Sequence, residues 1–250
     1  MRTIVALVIA ISLAGNVSAD QVAHWTFDED AGLTAYDSAG DNDGTIYGAT
    51  WTDGKDEGAL SFDGSNDYVR IPDNQSQQII GNQITLSAWI KLNGNIGATQ
   101  ERIICKQQTN QNNWGLELIG NGYVGSTGNQ IYFHDSTGTN RYNCISETHL
   151  NTNQWYHIAV TDDGGHIRIY LNGELDTATD DGYGIPSSIT APIMIGRTNP
   201  DSTFYFKGLI DDVRMYNNAL SQAEVTALVP EPATLILLGF GMTFLRRKRC

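Results

Sequence analysis

Three stretches of the chain alternate apolar residues with side chains that could bind a ligand. They are residues 84–91, 154–162 and 166–172. Opposite their apolar residues lie side chains with binding chemistry, which include Trp89, Trp155, His157, Arg168 and Tyr170. A saccharide presents C–H-rich faces and hydroxyl edges, so a mixture of aromatic rings and hydrogen-bonding groups suits it. The pattern predicts a carbohydrate-binding face. The alternative is an ordinary solvated sheet face, or residues covered by loops.

The elements that hold these residues are predicted to be β-strands. An apolar residue at every second position is the period of a strand with one buried face. The apolar sides of the three stretches, which include Leu86, Ile158 and Ile169, should meet in the core of a two-sheet structure.

A further strand, residues 206–216, carries two adjacent carboxylates. Strict alternation puts Asp211 on one side with Val213, and Asp212 on the other side with Arg214. Large side chains on both sides indicate a central strand rather than an edge. Because buried carboxylates are costly without partners, we expect Arg214 to pair with Asp212, and Asp211 to need another partner.

Between its two ends the chain has an all-β pattern. Turn sequences such as Asn93-Gly94 and Asn172-Gly173 separate short strand-forming runs. A capping box of Ser221 and Glu224 predicts one short helix that ends near Leu228. The predicted strands are Val22–Phe27, Ala59–Phe62, Tyr68–Ile71, Ile84–Lys91, Arg102–Lys106, Trp114–Ile119, Ile131–His134, Trp155–Asp162, His166–Leu171, Ile193–Arg197 and Gly208–Tyr216. This spacing predicts a sandwich of two antiparallel sheets or a jelly roll.

The part of the chain between the ends is strongly acidic. Residues 20–229 contain 10 Lys and Arg against 27 Asp and Glu residues, a formal charge of −17. This charge argues against nucleic acid as a partner and against charge-driven binding to an anionic membrane. Loop carboxylates suit hard cations such as Ca²⁺, although solvation alone explains most of them.

The N-terminal residues 1–19 are predicted to be a secretory signal peptide rather than part of the fold. A basic start at Arg2 precedes an apolar helical run over Ile4–Leu13 and the small-residue cleavage site Val17-Ser18-Ala19. We expect the mature chain to begin at Asp20. A membrane anchor is the alternative, but the apolar run is shorter than the roughly 20 residues of a spanning helix.

Two of the three cysteines, Cys105 and Cys144, lie in the exported part, and Cys250 ends the chain. In an oxidising compartment the first two are predicted to form a disulfide bond. Two separate thiols are the alternative, because the sequence does not show whether their Cα atoms come within about 7 Å.

The stretch Gly208–Ser221 resembles the last strand and short helix of LamG-like (concanavalin A-like) jelly-roll domains of bacterial surface proteins. Six further blocks match in the expected order: His24–Glu29, Gly58–Val69, Thr85–Ile90, Gln154–Val160, Ile169–Glu174 and Ile195–Arg197. The resemblance implies a single all-β jelly-roll domain over residues 20–228. This fold hosts lectins, glycan hydrolases, adhesins and inert spacers, so it does not decide the function.

The resemblance also implies a structural calcium site. Many LamG-like domains hold Ca²⁺ at the edge of the sandwich with an Asp of the terminal strand, and Asp211 matches that position. Asp28 is the expected partner, and Asp63 is a further candidate. The alternative is that Asp211 only accepts hydrogen bonds from N–H groups of a loop.

Catalysis is not expected, and we assign no catalytic residues. The β-glucanases that share this fold carry Glu-x-Asp-x-Glu, sometimes with one extra residue, on one strand, where alternation brings the carboxylates onto one face. The nearest match is Glu174-Leu175-Asp176, and the following Thr177-Ala178-Thr179 leaves the last Glu missing. The five His residues show no zinc-ligand spacing, and there is no Gly-x-Ser-x-Gly motif or phosphate-binding loop.

The C-terminal residues 229–250 closely resemble the PEP-CTERM sorting signal of Gram-negative bacteria, which an exosortase recognises and processes. The segment combines Pro230, Glu231 and Pro232 with an apolar helix over Ala233–Leu245 and a basic cluster of Arg246, Arg247, Lys248 and Arg249. The apolar helix, about 20 Å long, would hold the chain in the inner membrane as an intermediate, with the basic cluster in the cytoplasm. A plain membrane anchor is the alternative.

Together these features predict an exported, non-catalytic protein of the cell surface or extracellular matrix, with a carbohydrate-binding or adhesive module. Its expected partners are an exosortase-type enzyme and a polysaccharide or surface glycan, and Ca²⁺ is its expected structural cofactor. The alternatives are a purely structural matrix component without a sugar site, and a glycan-active hydrolase on the same fold.

Overall fold

The computed structural model describes residues 21–230, apart from 80, 98, 108–112, 138–139, 181, 183–188 and 199–203. The predicted signal peptide, and the predicted sorting signal beyond Pro230, lie outside the described residues. Within the described part, no helix has the length and apolarity needed to span a bilayer.

The described residues form sixteen strands and one short α-helix, α1, over Gln222–Ala227. The first eight strands are β1 Gln21–Trp25, β2 Thr34–Ala35, β3 Gly44–Tyr47, β4 Thr50–Asp53, β5 Gly58–Asp63, β6 Tyr68–Ile71, β7 Ile84–Leu92 and β8 Gln100–Gln107. The other eight are β9 Asn113–Ile119, β10 Gln130–Thr137, β11 Asn140–His149, β12 Trp155–Asp162, β13 Ile167–Leu171, β14 Glu174–Thr179, β15 Ile193–Ile195 and β16 Lys207–Tyr216.

The strands form two antiparallel sheets. Sheet A has the order β14-β13-β12-β7-β16-β5-β4, and β1 pairs with β16. Sheet B has the order β11-β10-β9-β8-β15-β6-β3-β2. Half of the fourteen pairings between the described strands join strands that are not consecutive in sequence, which is typical of a jelly roll. The predicted all-β fold with two antiparallel sheets is confirmed.

The main core lies between the two sheets, as the alternation predicted. Leu86 on β7, Ile158 on β12 and Ile169 on β13 are fully buried in one cluster with Leu116 and Phe133 of sheet B. The intervening residues of β7, β12 and β13 therefore lie on the face of sheet A that points away from sheet B. We call this the outer face of sheet A.

Strand β16 is central, as predicted, because it lies between β7 and β5. A bulge follows Asp211, which pairs with Trp89, while Arg214 pairs with Ser87. Asp211 thus lies on the outer face with Trp89, whereas Val213 belongs to the core. The predicted placement of Asp211 and Val213 on one side is wrong, since a bulge adds a residue and shifts the alternation.

Arg214 pairs with Asp212, as predicted, with its Nη2 atom 3.0 Å from Oδ1. Asp212 occupies the bulge with a φ of 51°. Its Oδ1 atom also lies 2.5 Å from Nε2 of His24. Burial would raise the pKa of Asp212, but the contacts with His24 and Arg214 outweigh it and hold that pKa below its ordinary value. The contacts with Arg214 and His24 therefore stabilise the negative charge of Asp212 on the half-buried outer face.

Helix α1 follows the predicted capping box. The side chain of Ser221 accepts a hydrogen bond from the N–H of Glu224, and the Glu224 carboxylate accepts one from the N–H of Ser221. The helix packs on the outer face of sheet A. Six residues form the resulting second cluster: Ala159, Tyr170, Tyr216, Leu220, Val225 and Leu228.

The position of α1 is fixed by the hairpin between β13 and β14. Gln222 and Thr226 both donate side-chain hydrogen bonds to the carbonyl of Gly173, at 2.5 and 2.9 Å. Asn172 and Gly173 have φ angles of 52° and 83°, the left-handed geometry of the predicted tight turn. A Cβ atom on Gly173 would lie 3.3 Å from the Cα atom of Thr226, so the close approach of helix and turn favours glycine.

The predicted disulfide between Cys105 and Cys144 is wrong. Both are free and buried, Cys105 on β8 and Cys144 on β11. Strands β9 and β10 lie between β8 and β11 in sheet B. Neighbouring strands are about 4.8 Å apart, so the two strands are separated by roughly 14 Å, twice the reach of a disulfide.

We predict that both thiols are free but unreactive in the folded protein, because burial raises the pKa of each to about 11. Iodoacetamide should leave Cys105 and Cys144 unmodified in the native state, and should alkylate both in denaturant without reductant. Peptide mapping by mass spectrometry measures this, with a Cys105→Ser variant to assign the two signals. A peptide pair linked by Cys105 and Cys144 would contradict the strand order.

Candidate functional site

A pocket with a volume of about 450 Å³ opens on the outer face of sheet A, beside α1. We call it the Trp pocket. It is lined by Lys55, Trp89, Trp155, Asn172, Glu174, Thr226, Val229 and Pro230. Two of the predicted carbohydrate-binding residues, Trp89 and Trp155, are therefore brought together.

The strand register places the two indoles as diagonal neighbours. Trp155 pairs with Lys91, and the next outer-face residue of β12, His157, pairs with Trp89. Trp89 is only 5% exposed and forms the floor of the pocket, whereas Trp155 is half-buried. An aromatic floor beside a more accessible ring is suited to the C–H face of a sugar.

Two lysines lie close to the indole rings. The Nζ atom of Lys55 is 5.1 Å from the ring centroid of Trp89, and that of Lys91 is 6.0 Å from Trp155. Both distances are within the range of cation–π attraction. Lys55 lies in the loop between β4 and β5, where the sequence gives no periodic signal, so sequence reasoning missed it.

The polar rim comes from the hairpin that also fixes α1. The Oδ1 atom of Asn172 accepts a hydrogen bond from the backbone N–H of His157 at 3.0 Å, which orients the Asn172 amide. Glu174, the first residue of β14, is exposed at the edge. The rim therefore offers an amide and a carboxylate to the hydroxyl edge of a ligand. Thr226, Val229 and Pro230 complete the wall, and they could be assigned only once the packing of α1 was known.

His157 lies beneath the pocket rather than in its wall. Its ring is 1% exposed and meets the Trp89 ring edge to face at a centroid distance of 5.3 Å. Burial lowers the pKa of His157 to about 4, although the charge of Asp212 acts in the opposite direction. Arg214 adds to the lowering. His157 is therefore neutral at pH 7 and supports the indole.

The other two predicted carbohydrate-binding residues are not in the pocket. Tyr170 is 3% exposed and packs beneath α1, so a ligand cannot reach it. Arg168 pairs with Asp163, with Nη1 2.8 Å from Oδ2. Arg168 also lies opposite Thr161, six positions from Trp155 along β12. At 3.3 Å per residue, this separation is about 20 Å.

The predicted metal ligands Asp28 and Asp211 cap one loop. Asp211 Oδ2 accepts hydrogen bonds from the N–H groups of Lys55 and Asp56, at 2.7 and 3.1 Å. Asp28 Oδ1 accepts one from Gly58 at 2.8 Å. Burial raises the pKa of Asp211 to about 7, and the charges of neighbouring carboxylates, including Asp28, add to this. The other oxygen of Asp211, Oδ1, is buried without a hydrogen-bond partner.

Asp63 is not part of this pair. It lies opposite Lys207, four positions from Asp211 along β16. Its Oδ1 atom accepts hydrogen bonds from Ser65 and Asn66 in the β5–β6 turn. Over the described ranges, no group of three or more His, Cys, Asp or Glu side chains is arranged to hold a metal ion. A cation at Asp28 and Asp211 would need other oxygens, such as backbone carbonyls.

The incomplete catalytic motif is also split by the fold. Glu174 lines the Trp pocket. Leu175 pairs with Tyr170 and Thr177 with Ile169, so Asp176 is the extra residue of a bulge. Its carboxylate accepts hydrogen bonds from the backbone of Glu147 and Thr148 on β11. Asp176 therefore bonds to β11, and it is not among the described residues that line the Trp pocket.

The sequence and fold place the chain among known proteins. Residues 63–226 match the concanavalin A-like lectin/glucanases superfamily, and the chain belongs to this family. Residues 228–249 match the PEP-CTERM protein-sorting motif. This motif indicates exosortase processing, export and surface localisation in a Gram-negative bacterium.

Several solved structures have the same fold. Domain 4 of AbnA, a GH43 extracellular arabinanase from Geobacillus stearothermophilus solved with arabinotriose, is 25% identical with a TM-score of 0.67. The alignment covers 84% of this chain and 98% of that domain. The binding domain of Paraclostridial Mosquitocidal Protein 1 is 17% identical with a TM-score of 0.66, over 84% of this chain and 52% of the other.

Among curated proteins, Adhesion G-protein coupled receptor V1 of Danio rerio is 29% identical over 163 residues. The match covers 62% of this chain and only 2% of the receptor. The likeness therefore concerns one module of a much longer protein.

We predict that neutral His157 makes stability depend on pH. Its pKa is about 4 when folded and about 6.5 when unfolded, so the unfolded state binds the proton first as pH falls. This difference in pKa leaves the free energy of unfolding unchanged above about pH 6.5. Between about pH 6.5 and about pH 4 it lowers the free energy of unfolding by up to about 3 kcal/mol. Urea unfolding of a His157→Gln variant at about pH 7.5 and about pH 4.5 should show a smaller pH-dependent loss than wild type.

His166→Gln is the matched control for this measurement, because the His166 side chain is 49% exposed. Its effect on the pH dependence should be smaller than that of His157→Gln, because an exposed side chain loses little hydration on folding. Equal pH dependence in wild type and His157→Gln would show that His157 is not buried in the neutral form.

Proposed function

We propose that this protein is an exported, non-catalytic surface module that binds carbohydrate in the Trp pocket. The main support for this proposal is that Trp89, Trp155, Asn172 and Glu174 line one cavity. A ring of a saccharide stacks on Trp155 above the Trp89 floor, and its hydroxyl groups bond to the amide and carboxylate of the rim. The arabinotriose complex of the AbnA domain, at 25% identity, supports saccharide as the ligand class.

Two other functions fit the same fold less well. A purely structural matrix component would not need two indoles around an open cavity on an otherwise acidic surface. A hydrolase would need a second carboxylate beside Glu174, and Glu174 is the only carboxylate among the described residues that line the pocket.

The predicted sorting signal, residues 229–250, would determine where the module acts. In our proposal Ala233–Leu245 holds the precursor in the inner membrane, with Arg246–Arg249 on the cytoplasmic side. An exosortase-type enzyme then acts at the Pro230-Glu231-Pro232 segment and releases the module towards the cell surface or extracellular matrix. The surface polysaccharide there is the ligand that the Trp pocket would meet.

Calcium is the proposed structural cofactor, at Asp28 and Asp211. The donor set fits a hard cation, since two carboxylates cap one loop and Asp211 Oδ1 is buried without a hydrogen-bond partner. Bound Ca²⁺ would neutralise the repulsion between the two carboxylates and fix the loop that carries Lys55. It would thereby support one wall of the Trp pocket.

The glycan prediction concerns Trp155. Trp155→Ala should weaken retention of the full exported chain on polysaccharide gels at least tenfold, because the stacking surface is lost. Trp155→Phe should keep much of the retention. Native affinity electrophoresis in gels containing arabinan, xylan or β-glucan measures the effect.

Arg168→Ala is the control, because Arg168 lies on the same face of sheet A but outside the pocket. This variant should be retained as wild type is. A wild-type chain that is retained by none of these polysaccharides, or by a broader glycan array, would reject the proposed function.

The calcium prediction concerns thermal stability. Millimolar Ca²⁺ should raise the melting temperature by several degrees over that in EDTA, since a ligand at about 100 times its Kd stabilises by about 2.7 kcal/mol. Asp211→Asn should abolish the difference, and exposed Asp41→Asn should preserve it. Identical melting temperatures of the wild type in EDTA and in Ca²⁺ would rule out the site.

A further inference from the structure

A second cavity, of about 670 Å³, lies among the loops at one end of the sandwich. We call it the loop cavity. Three connections form it: β7 to β8, β9 to β10, and β11 to β12. Its polar lining residues with side chains available to a ligand are Asn95, Asn121, Thr127, His149, Asn151 and Thr152.

The described lining of the loop cavity lacks the carboxylates that are common in this acidic chain. None of its described lining residues is an Asp, Glu, Lys or Arg, although the chain has a formal charge of −13. Amide and hydroxyl groups both donate and accept hydrogen bonds. A set of such groups without a fixed charge complements the vicinal hydroxyls of an uncharged sugar, and the described lining offers no lysine, arginine or carboxylate to a charged ligand.

Asn129 fixes the walls of the loop cavity. Its Nδ2 atom donates to Asn95 Oδ1 and to the carbonyl of Leu150, at 2.9 and 3.1 Å. Its Oδ1 atom accepts from the N–H of Ile96 at 3.0 Å. With a left-handed φ of 52°, Asn129 thus connects all three loops. A site whose walls are already ordered loses less conformational entropy on binding.

His149 is held in a similar way. Its Nδ1 atom donates to the carbonyl of Gly128 at 2.6 Å, and in the neutral ring Nε2 accepts from the hydroxyl of Thr127 at 3.1 Å. The ring and the hydroxyl therefore have defined positions on one wall. The exposed amides of Asn121 and Asn151 lie on the same cavity surface.

The loop cavity and the Trp pocket are neighbours. Thr152 lines the first and Trp155 the second, and three residues span at most about 10 Å. The N–H of Asn153 bonds to the carbonyl of Leu92 at 2.8 Å, which fixes this turn on the end of β7. A short oligosaccharide is long enough to cross the turn and fill both sites.

We propose that the loop cavity is a second saccharide subsite, which binds a neutral sugar of the same chain whose neighbouring unit stacks on Trp155. The inference rests on the proposed function of the Trp pocket. It adds the ligand class, an uncharged oligosaccharide rather than a single sugar. It also requires that affinity increases with chain length until both sites are filled.

The test is calorimetric titration of the full exported chain, in mild detergent, with arabino-, xylo- and laminari-oligosaccharides from disaccharide to hexasaccharide. Asn121→Trp fills the loop cavity, and Asn95→Ala with Asn151→Ala removes two of its amides. Both variants should bind the hexasaccharide about tenfold to a hundredfold more weakly than wild type, because several hydrogen bonds are lost. Both should bind the disaccharide as wild type does.

Asn66→Trp, in the β5–β6 turn, is the matched control for the added indole. It should leave the affinities for the disaccharide and the hexasaccharide unchanged. If wild type binds and both loop variants keep full hexasaccharide affinity, the second subsite is rejected while the Trp pocket stands. If the loop variants lose all binding and Trp155→Ala loses none, the loop cavity binds saccharide alone and the shared ligand is rejected. If wild type binds no saccharide in any series, the proposed function and this inference both fail.

Discussion

The attachment of α1 to the carbonyl of Gly173 is the contact on which the candidate site depends. It holds an apolar helix face over Tyr170 and Tyr216, which closes part of the outer face of sheet A. The uncovered remainder, next to the end of the helix, is the Trp pocket. Without this contact the outer face would present a broad aromatic surface to water. With it, that surface is reduced to one cavity of defined shape.

The same outer face carries charges that the fold must neutralise. Asp211 lies just before the bulge in β16 and points towards the loop that holds Lys55, and the bulge lets Asp212 reach both Arg214 and His24. Each carboxylate thereby gains hydrogen-bond donors from another segment of the chain. The pocket floor stays neutral, since His157 beneath Trp89 is uncharged at pH 7. A cavity with an aromatic floor, lined by one lysine and one glutamate within an acidic module, favours uncharged ligands over anionic ones.

Strands with strong alternation could be predicted, and polar ones could not. Strands β7 and β12 lie where the sequence indicated because one side of each is continuously apolar, and β16 does so because it carries large side chains on both sides. The sequence did not reveal β2, β3, β4, β11 and β14, which are short or mostly polar and lie at or near the sheet edges. A buried group on sheet B was also missed, in which Arg102 and His134 both contact Glu117. Charged residues on a strand predict exposure, and only tertiary packing reverses that expectation.

For the site, the alternation identified the correct sheet face but not its accessible part. It grouped Tyr170 and Arg168 with Trp155, because period alone says nothing about the helix that covers one residue or about distance along a strand. Cysteine pairing failed for a related reason: sheet order is a property of the whole chain. The loop residues Lys55 and Asn129 are equally beyond sequence patterns, since their roles depend on contacts between distant segments.

The proposed saccharide site lies over Trp89 and Trp155. The most direct measurement follows the five indole N–H resonances of the ¹⁵N-labelled chain during titration with an oligosaccharide that the protein retains. The Trp89 and Trp155 resonances should shift. The other three indoles should stay unchanged, because Trp25 and Trp51 donate to backbone carbonyls away from the pocket and Trp114 is buried in the core. Saturable binding that leaves the Trp89 and Trp155 resonances unmoved would contradict a saccharide site over these two indoles.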